Sequence, residues 1–487
     1  PPPRASAPTP PAASRSARPT PRSRPARPGV LARAPVARAE ARRLKADDSA
    51  RALTRLADAG LRDEPSSADP LLVRRGCVVA AECERLRGHP GAAQAWLDRA
   101  GPAASIRPLD PLLATSALLL GVQLGDDRGE AQPRVDFVAS APSSGAEGPA
   151  SALHHFAAVF YRVLHGAQAW SPTDIDLLRW SVEPSHLDPL AASFGWDALA
   201  TLAFRQGHAL QAAEHYAAAL RASARAGCWS RVVVSQLNIA SALSQLNTPE
   251  RVARWVDRAA QTVHGRGWPA LEALVALRRC SALRWQQRWE EAEQAGQRAQ
   301  SVLEQLSAGR NLTLARLARG EVALGRNDGP AAVAHFSAAL AESTARHEVD
   351  LQFEGRCGLA QAAAVLGAVA DGLGHLDQAE SLARRDNALV RLAWCAVVRA
   401  WLQALLGSAS GLQAALDDAQ RLVRLARSVP GFSLPLEVRL RVARLLASRP
   451  ELLSGLNESL QTLLVSEETP PQDAQRLARL ETGWSAG

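Results

Sequence analysis

Small and apolar positions along the central part of the chain recur every forty residues. A frame that begins at Gly207 continues with Ala212, Tyr216 and Ala219, and its spacing fits six times without insertion or deletion. Its last position is alanine in every copy: Ala219, Ala259, Ala299, Ala339, Ala379 and Ala419. A second column, ahead of the frame, is small in every copy: Ala200, Ala240, Cys280, Gly320, Ala360 and Ala400. Two small columns in register indicate a repeated structural unit.

The two small columns predict pairs of closely packed helices, because antiparallel helices approach tightly only where the facing side chains are small. Between the columns lies a turn position that favours residues able to adopt the left-handed conformation at a helix end. Its six members are Gly207, Asn247, Gln287, Asn327, Gly367 and Gly407. We therefore predict an all-α fold, a right-handed superhelical solenoid of antiparallel helix pairs, with six forty-residue repeats over residues 193–432.

The segments on either side carry a weaker pattern or none. Residues 1–36 alternate proline with arginine, serine and alanine, which predicts a disordered tail or linker. Residues 37–192 are predicted to form further helical repeats. The frame recurs there as Gly88, Ala93, Leu97 and Ala100. The Gly-, Pro- and Ser-rich stretch 126–149 is expected to be a loop insertion, and residues 433–487 are expected to form capping helices.

The charge distribution separates the tail from the body. The chain of 487 residues has a formal net charge of +8. Residues 1–45 contain eleven of its 56 basic residues and one of its 48 acidic residues, so they carry +10 and the remainder carries −2. A nearly neutral body disfavours direct nucleic-acid binding by the repeats. The tail is either a solvated tether or a basic arm that contacts nucleic acid, an anionic lipid or a proline-recognising domain.

Sequence signatures of catalysis are absent. The single lysine, Lys45, lies outside any glycine-rich phosphate-binding loop, so P-loop and kinase-type sites are excluded. The HExxH and GxSxG patterns are also absent. We therefore expect no enzyme activity, no catalytic residues, no metal and no cofactor, and an unrecognised catalytic site is the least favoured hypothesis. His154, His155 and His165 are expected to pack on a helix, because adjacent helical positions point about 100° apart and cannot share one metal ion.

Cysteine content and hydropathy indicate the compartment. The six cysteines include no CxxC pair, which favours buried thiols on helix faces over disulfides or a zinc site. No apolar run approaches the ~20 residues that cross a bilayer. The N-terminal segment also has no apolar core of a secretion signal. We expect a cytoplasmic protein with no membrane partner.

One unit resembles the tetratricopeptide-repeat signature in residue type and spacing. The matching residues are Trp196, Leu199, Ala200, Gly207, Ala212, Tyr216 and Ala219. The forty-residue period exceeds the usual thirty-four, and this variant is similar to the solenoids of large ATP-dependent LuxR-type transcription activators. The resemblance covers residues 193–432 and implies the interaction or sensing region of a bacterial regulator.

The resemblance also implies a binding surface, because the first helix of each tetratricopeptide unit lines the concave face. The candidate ligand- or partner-binding residues are Leu237, Asn238, Ser241, Leu277, Arg278, Ser281, Arg284, Trp285 and Leu317. Such a surface suits an amphipathic partner helix or a polar small ligand stacked on tryptophan. Family members that grip a terminal carboxylate use lysine and asparagine in two groove columns, and neither residue occurs in those columns here. The alternative is that the leucines pack between helices and the hydroxyls are merely small.

Two functional hypotheses follow. The favoured one is a non-catalytic solenoid that forms the sensing or scaffolding region of a bacterial transcriptional regulator. Its concave groove would bind a protein or peptide partner, or a small ligand. The alternative is a stand-alone cytoplasmic tetratricopeptide adaptor that binds a partner helix or peptide.

Overall fold

The computed structural model describes most of the chain between residues 53 and 427. The described ranges are 53–54, 70–128, 130, 132–141, 148–165, 188–206, 208–246, 248–306, 309–385 and 388–427. The tail expected at residues 1–36 and the capping helices expected at residues 433–487 lie outside these ranges. All regular secondary structure within them is α-helical, which confirms the predicted all-α class.

Consecutive helices pair antiparallel and stack into a right-handed superhelical solenoid. The helices before the predicted repeats are α1 Pro70–Leu86, α2 Pro90–Ala100, α3 Ala103–Ile106, α4 Pro111–Arg128, α5 Gln132–Ala139 and α6 Pro149–His165. The first helices of the six repeat units are α7 Pro189–Arg205, α9 Trp229–Ser244, α11 Pro269–Trp285, α13 Gly309–Gly325, α15 Val349–Leu366 and α17 Leu389–Leu405. The second helices are α8 Ala209–Arg225, α10 Pro249–Val263, α12 Trp289–Gln305, α14 Gly329–Ala345, α16 Val369–Arg385 and α18 Ala409–Arg427. Equivalent helices begin forty residues apart, as the small columns predict.

The turn inside each unit has the left-handed conformation that the sequence predicts. The φ angles are 58° at Gln287 and Asn327, 75° at Gly367 and 68° at Gly407. After Gln287, the Arg288 amide donates to the Leu283 carbonyl at 3.0 Å, which is the hydrogen bond of a Schellman helix end. The equivalent positions 207 and 247 lie outside the described residues.

A second left-handed position, absent from the sequence prediction, lies between units. The φ angle is 66° at Gly227, 65° at Gly267 and 56° at His347. The amides after Gly227 and His347 close the same type of helix end: Cys228 donates to the Ser223 carbonyl and Glu348 to the Ser343 carbonyl, each at 2.9 Å. Left-handed turns therefore occur at twenty-residue intervals wherever both kinds of turn are described.

Both small columns lie at helix contacts. All six alanines of the frame are completely buried, with an exposed fraction of 0%. In the other column, Gly320 contacts the ring of Phe336, and a Cβ atom there would lie 2.7 Å from the ring. Gly358 faces the same ring, where a Cβ atom would lie at 2.4 Å. One phenylalanine thus occupies space that two glycines leave free, which confirms close packing at these columns.

The stretch 126–149 is not the continuous loop expected from its Gly, Pro and Ser content. Helix α4 continues to Arg128, and α5 forms within the stretch. The reason is burial: Phe137 of α5 is 3% exposed and packs against the ring of His154 in α6, with ring centroids 4.3 Å apart. An apolar anchor in tertiary contact outweighs the local preference for a loop.

The N-terminal helices fold back over the repeats. Helix α1 contacts α11, and α4 contacts α13, so they lie against first helices of the third and fourth units. The turn after α1 contains Gly88, with a φ of 79°, and lies against Leu306 and Pro269. None of the described helices combines the length and the hydropathy needed to cross a bilayer.

Candidate ligand-binding cavity

A cavity of about 520 Å³ lies between the N-terminal helices and the first helices of units one to four. Side chains of α1, α4 and α6 line one wall, and side chains of α7, α9, α11 and α13 line the other. Volumes in this range are typical of small-molecule sites. The apolar part of the lining comes from both walls: Val78, Val79, Leu86, Leu119, Phe160, Leu190, Phe194, Val234, Leu271 and Leu274.

Repeat geometry brings the first helices of four successive units to one wall. One set of equivalent lining positions is Leu190, Ser230, Ala270 and Arg310. A second set, one helical turn later, is Phe194, Val234 and Leu274. Side chains four residues apart lie on the same helix face, so these two sets form the repeat side of the cavity. They are different columns from those that the resemblance implied.

The three leucines among the candidate binding residues lie in the core. Leu237, Leu277 and Leu317 are 3%, 1% and 7% exposed and pack in hydrophobic clusters between neighbouring helices. This position agrees with the alternative interpretation, in which the leucines hold adjacent helices together. None of the nine candidate residues lines the cavity itself, so their role in binding stays a prediction.

The hydroxyl candidates are bonded within their own helices. Ser241 donates to the Leu237 carbonyl at 3.0 Å, and Ser281 donates to the Leu277 carbonyl at 3.4 Å. Asn238, on the same helix as Ser241, is half-buried. A serine bonded to its own helix offers less to a ligand than a free hydroxyl, because the ligand must compete with that bond.

The remaining candidates cluster on the last two turns of α11. Arg284 pairs with Glu321 of the next unit at 3.1 Å, and its guanidinium lies 5.0 Å from the ring centroid of Trp285. Arg278 is half-buried one and a half turns earlier. The structure therefore brings Arg278, Arg284 and Trp285 together on one helix but leaves them beside the cavity rather than in its wall.

A network of ion pairs connects distant units across the interior. Arg310 bonds to Asp350 of the fifth unit and lies 3.7 Å from Glu348. Arg205 of the first unit lies 3.9 Å from the same Asp350 carboxylate. Although burial alone raises the pKa of Asp350, the arginines outweigh it and hold that pKa well below its usual range. The superhelix is therefore tight enough for the first and fifth units to interact directly.

The end of α4 adds acidic groups to this network. Asp126 accepts a hydrogen bond from Arg134 at 2.7 Å and lies within electrostatic reach of Arg310 and Glu348. Burial raises the pKa of Asp126 to about 6, and Arg134 offsets part of the rise. The N-terminal wall thus places a carboxyl that titrates near neutral pH beside the basic repeat wall.

An arginine stacked on an aromatic ring lies where the two walls meet. The guanidinium of Arg231 is 3.5 Å from the ring centroid of Phe194, donates to the Ser193 hydroxyl at 2.9 Å and pairs with Asp197. Burial raises the pKa of Asp197 to about 6, despite the attraction of Arg231. Arg231 is held from three sides, which makes it a rigid part of the wall.

Metal and thiol chemistry find no support in the described part of the chain. No group of three or more His, Cys, Asp and Glu side chains there is arranged to hold a metal ion. His154 lies with its Nε2 atom 2.9 Å from the Phe137 carbonyl, so it acts in packing. All six cysteines are free, and five are buried. Burial raises the pKa of the Cys280 thiol to about 12, which suppresses its reactivity.

Comparisons with known proteins show similarity of fold. No family model matches the chain, and a search of curated proteins finds no significant match. The chain is similar to a Rap protein complexed with competence and sporulation factor: the TM-score is 0.51 and the identity 14%, covering 76% of this chain and 98% of that one. It is also similar to Cut9 in the APC/C hetero-tetramer Cut9–Hcn1, with a TM-score of 0.43, 11% identity and coverage of 85% and 80%.

A third similar structure is a signal-transduction ATPase with numerous domains and a tetratricopeptide-repeat sensor from Pyrococcus horikoshii. Here the TM-score is 0.38 and the identity 12%, over 87% of this chain and 61% of that one. The Rap similarity, which extends over nearly the whole of that protein, agrees with the helix pairs and turns described above. The chain has a tetratricopeptide-type superhelical fold.

Proposed function

We propose that this protein is a non-catalytic binding solenoid that takes a ligand inside its superhelix. The observation that carries the proposal is the cavity of about 520 Å³ lined by two layers of helices. A ligand there would contact the N-terminal helices and four repeat units at once. Binding would therefore change the free energy that holds the two layers together, which is what a sensor requires.

The cavity lining supports ligand binding rather than catalysis. Apolar side chains provide most of the wall, and the side-chain amides of Gln123 and Asn311 add groups that can both donate and accept hydrogen bonds. Charged side chains of both walls, among them Arg75, Glu82 and Arg231, also line the cavity. Polar groups beside an apolar wall give orientation and selectivity. In the Rap structure the solved complex contains a bound factor, which is a precedent for ligand binding by a protein of this fold.

We further propose that the sensed ligand controls a cytoplasmic bacterial transcriptional regulator, of which this solenoid is the sensing region. The support is the resemblance of the forty-residue repeats to those of LuxR-type activators. In cells, a variant with a blocked cavity should abolish the ligand-dependent change in transcript levels. If the transcripts still respond normally, the protein is a binding solenoid that does not have this regulatory role.

Ligand binding is tested with a cavity-filling variant. In Leu274→Trp the indole should occupy part of the cavity, because Leu274 lines its repeat wall. Metabolites and short peptides are screened by thermal unfolding, and each compound that raises the melting temperature of the wild type is measured by calorimetry. We expect at least a tenfold loss of affinity in Leu274→Trp.

The matched control is Leu109→Trp, which introduces the same side chain at a position that is 55% exposed. It should bind the same compounds with wild-type affinity. Equal affinity in the wild type and in Leu274→Trp would exclude the cavity as the binding site. Conversion of a bound compound, detected by mass spectrometry, would contradict the non-catalytic part of the proposal.

A further inference from the structure

Arg278 differs from Arg231, Arg284 and Arg310 because no carboxylate of the described residues is its partner. Arg231, Arg284 and Arg310 each form an ion pair with Asp197, Glu321 and Asp350, respectively. Arg278 is half-buried, and no described residue forms a hydrogen bond or an ion pair with its guanidinium. A partly buried cation without a counter-ion is less favourable than a paired one, so its presence requires a reason.

Repeat architecture does not supply that reason. The equivalent positions in the other five units are occupied by uncharged residues: Ala198, Asn238, Ala318, Gly358 and Val398. A helix pair of this type therefore forms with an alanine or glycine at this position. The arginine is specific to the third unit, next to the cavity.

Helix geometry places Arg278 beside the cavity, one turn beyond the residues of α11 that line it. Ala270, Leu271 and Leu274 of α11 line the cavity wall, and Arg278 lies one turn after Leu274 on the same helix face. It is also within electrostatic reach of Arg310, which lines the wall from the next unit. The positive charges of Arg278 and Arg310 therefore repel each other at this end of the site.

The surroundings of Arg278 disfavour its charge. Burial lowers the pKa of Arg278 and the positive charge of Arg310 lowers it further, while the Tyr216 hydroxyl acts in the opposite direction. That hydroxyl is already paired with Thr201 at 3.2 Å. An anion bound near Arg278 would offset both the energetic cost of burying its charge and the repulsion from Arg310.

We propose that Arg278 binds an anionic group, a carboxylate or a phosphate, of the ligand held in the cavity. This inference rests on the proposed function and adds the chemical class of the ligand. The apolar lining would hold the body of the ligand, and the guanidinium would bind its anionic end through two parallel hydrogen bonds. The ligand is accordingly an amphipathic anion.

The test uses inorganic phosphate and citrate as probes, at low millimolar concentration and constant ionic strength. Thermal unfolding is measured for the wild type, Arg278→Met, Arg278→Lys and the control Arg279→Met. Arg279 is the adjacent residue and forms an exposed ion pair with Asp257 at 2.9 Å. Low concentrations, and the comparison between variants, separate binding from the general stabilisation that these salts cause by exclusion from the protein surface.

We expect at least one anion to raise the melting temperature of the wild type and of Arg279→Met by several degrees, because a ligand that binds the folded state stabilises it. Arg278→Met should show no rise, and Arg278→Lys should show part of it. A rise with phosphate alone indicates a phosphate ligand, and a rise with citrate alone indicates a carboxylate ligand. An equal rise in Arg278→Met, or no rise in the wild type with either anion, would overturn the inference.

A second readout needs no ligand. Without added anion, Arg278→Met should melt a few degrees above the wild type, because it removes an unpaired charge and keeps an apolar side chain. A lower melting temperature than the wild type would show that Arg278 is structural and would overturn the inference. Failure of either readout leaves the cavity proposal intact if Leu274→Trp still lowers the affinity for an uncharged compound at least tenfold.

Discussion

Glu354 and Asp350 lie one turn apart on α15, yet the interior changes their acidity in opposite directions. Arg310 bonds directly to Asp350 and lowers the pKa of that carboxyl despite its burial. Glu354 receives no such bond from the described residues. Burial and the nearby carboxylates Glu321 and Asp350 raise its pKa to about 7, although Arg391 opposes the rise. At the residue scale, the direct bond from Arg310 therefore separates the acidity of these two neighbouring carboxyls.

Glu354→Gln should stabilise the protein at pH 8 by roughly 1–3 kcal/mol. The folded state binds the Glu354 proton more tightly than the unfolded state, whose pKa is near 4.5. The contribution of this residue to stability therefore falls as the pH rises from about 4.5 to about 7. Chemical denaturation at pH 4 and pH 8 measures the effect, which should be small at pH 4. A similar gain in stability from the exposed control Glu290→Gln would show that the change in net charge, and not the burial of Glu354, causes the effect.

Ala339→Leu should destabilise the fold by roughly 1–3 kcal/mol, because the added atoms overpack a helix contact. Ala339 is 0% exposed, whereas Ala341 on the same helix is exposed. Ala341→Leu is therefore the matched control and should change the unfolding free energy by only a few tenths. Equal stability of the two variants in denaturant titrations would show that the alanine column is not a packing requirement.

At the element scale, helix length is set by two kinds of turn. Left-handed residues end both the first and the second helix of a unit, as at Asn327 and His347. Glycine adopts this conformation without steric strain, whereas the Cβ atom of other residues makes it less favourable. In the sequence, only the turn column inside the units is clearly recognisable. The column between units holds glycine at positions 227 and 267 but histidine at position 347, and histidine carries no evident turn signal.

Gln287→Gly should stabilise the protein by roughly 0.5–1 kcal/mol, because Gln287 adopts a φ of 58°. The control is Gln286→Gly, where the φ angle is −84° and glycine only adds freedom to the unfolded chain. That variant should be less stable than the wild type. Thermal unfolding of both variants is the measurement, and a destabilised Gln287→Gly would contradict the cost of the left-handed turn.

At the scale of the whole molecule, side chains distant in sequence meet across the interior. Arg205 and Arg310 converge on Asp350, and the end of α4 brings Asp126 towards Arg310. These contacts link the first, fourth and fifth units and the N-terminal helices. In an open array each unit would contact only its neighbours, so these long-range pairs couple the stability of separate parts of this solenoid.

Arg310→Ala should destabilise the protein by about 3 kcal/mol, because it leaves the buried carboxylate of Asp350 without its direct partner. It should also reduce the cooperativity of unfolding, since units four and five lose a contact that Arg205 of unit one shares through Asp350. The control Arg288→Ala removes an exposed pair with Glu291 and should have little effect. An unchanged denaturation curve for Arg310→Ala would show that the long-range pairs do not stabilise the fold.

The sequence by itself determined the helical repeat, its forty-residue period, the small columns and the left-handed turn within units, because each depends on contacts within a unit or between adjacent helices. It also pointed to Arg278 on α11. Only the tertiary structure decided that α1 and α4 cover the concave face, that 126–149 contains a helix, and that the leucine column is buried. Those features depend on the rotation accumulated over several units and on contacts between distant segments. For the same reason, only the tertiary structure shows that, within the described part of the chain, Arg310 has a carboxylate partner and Arg278 has none.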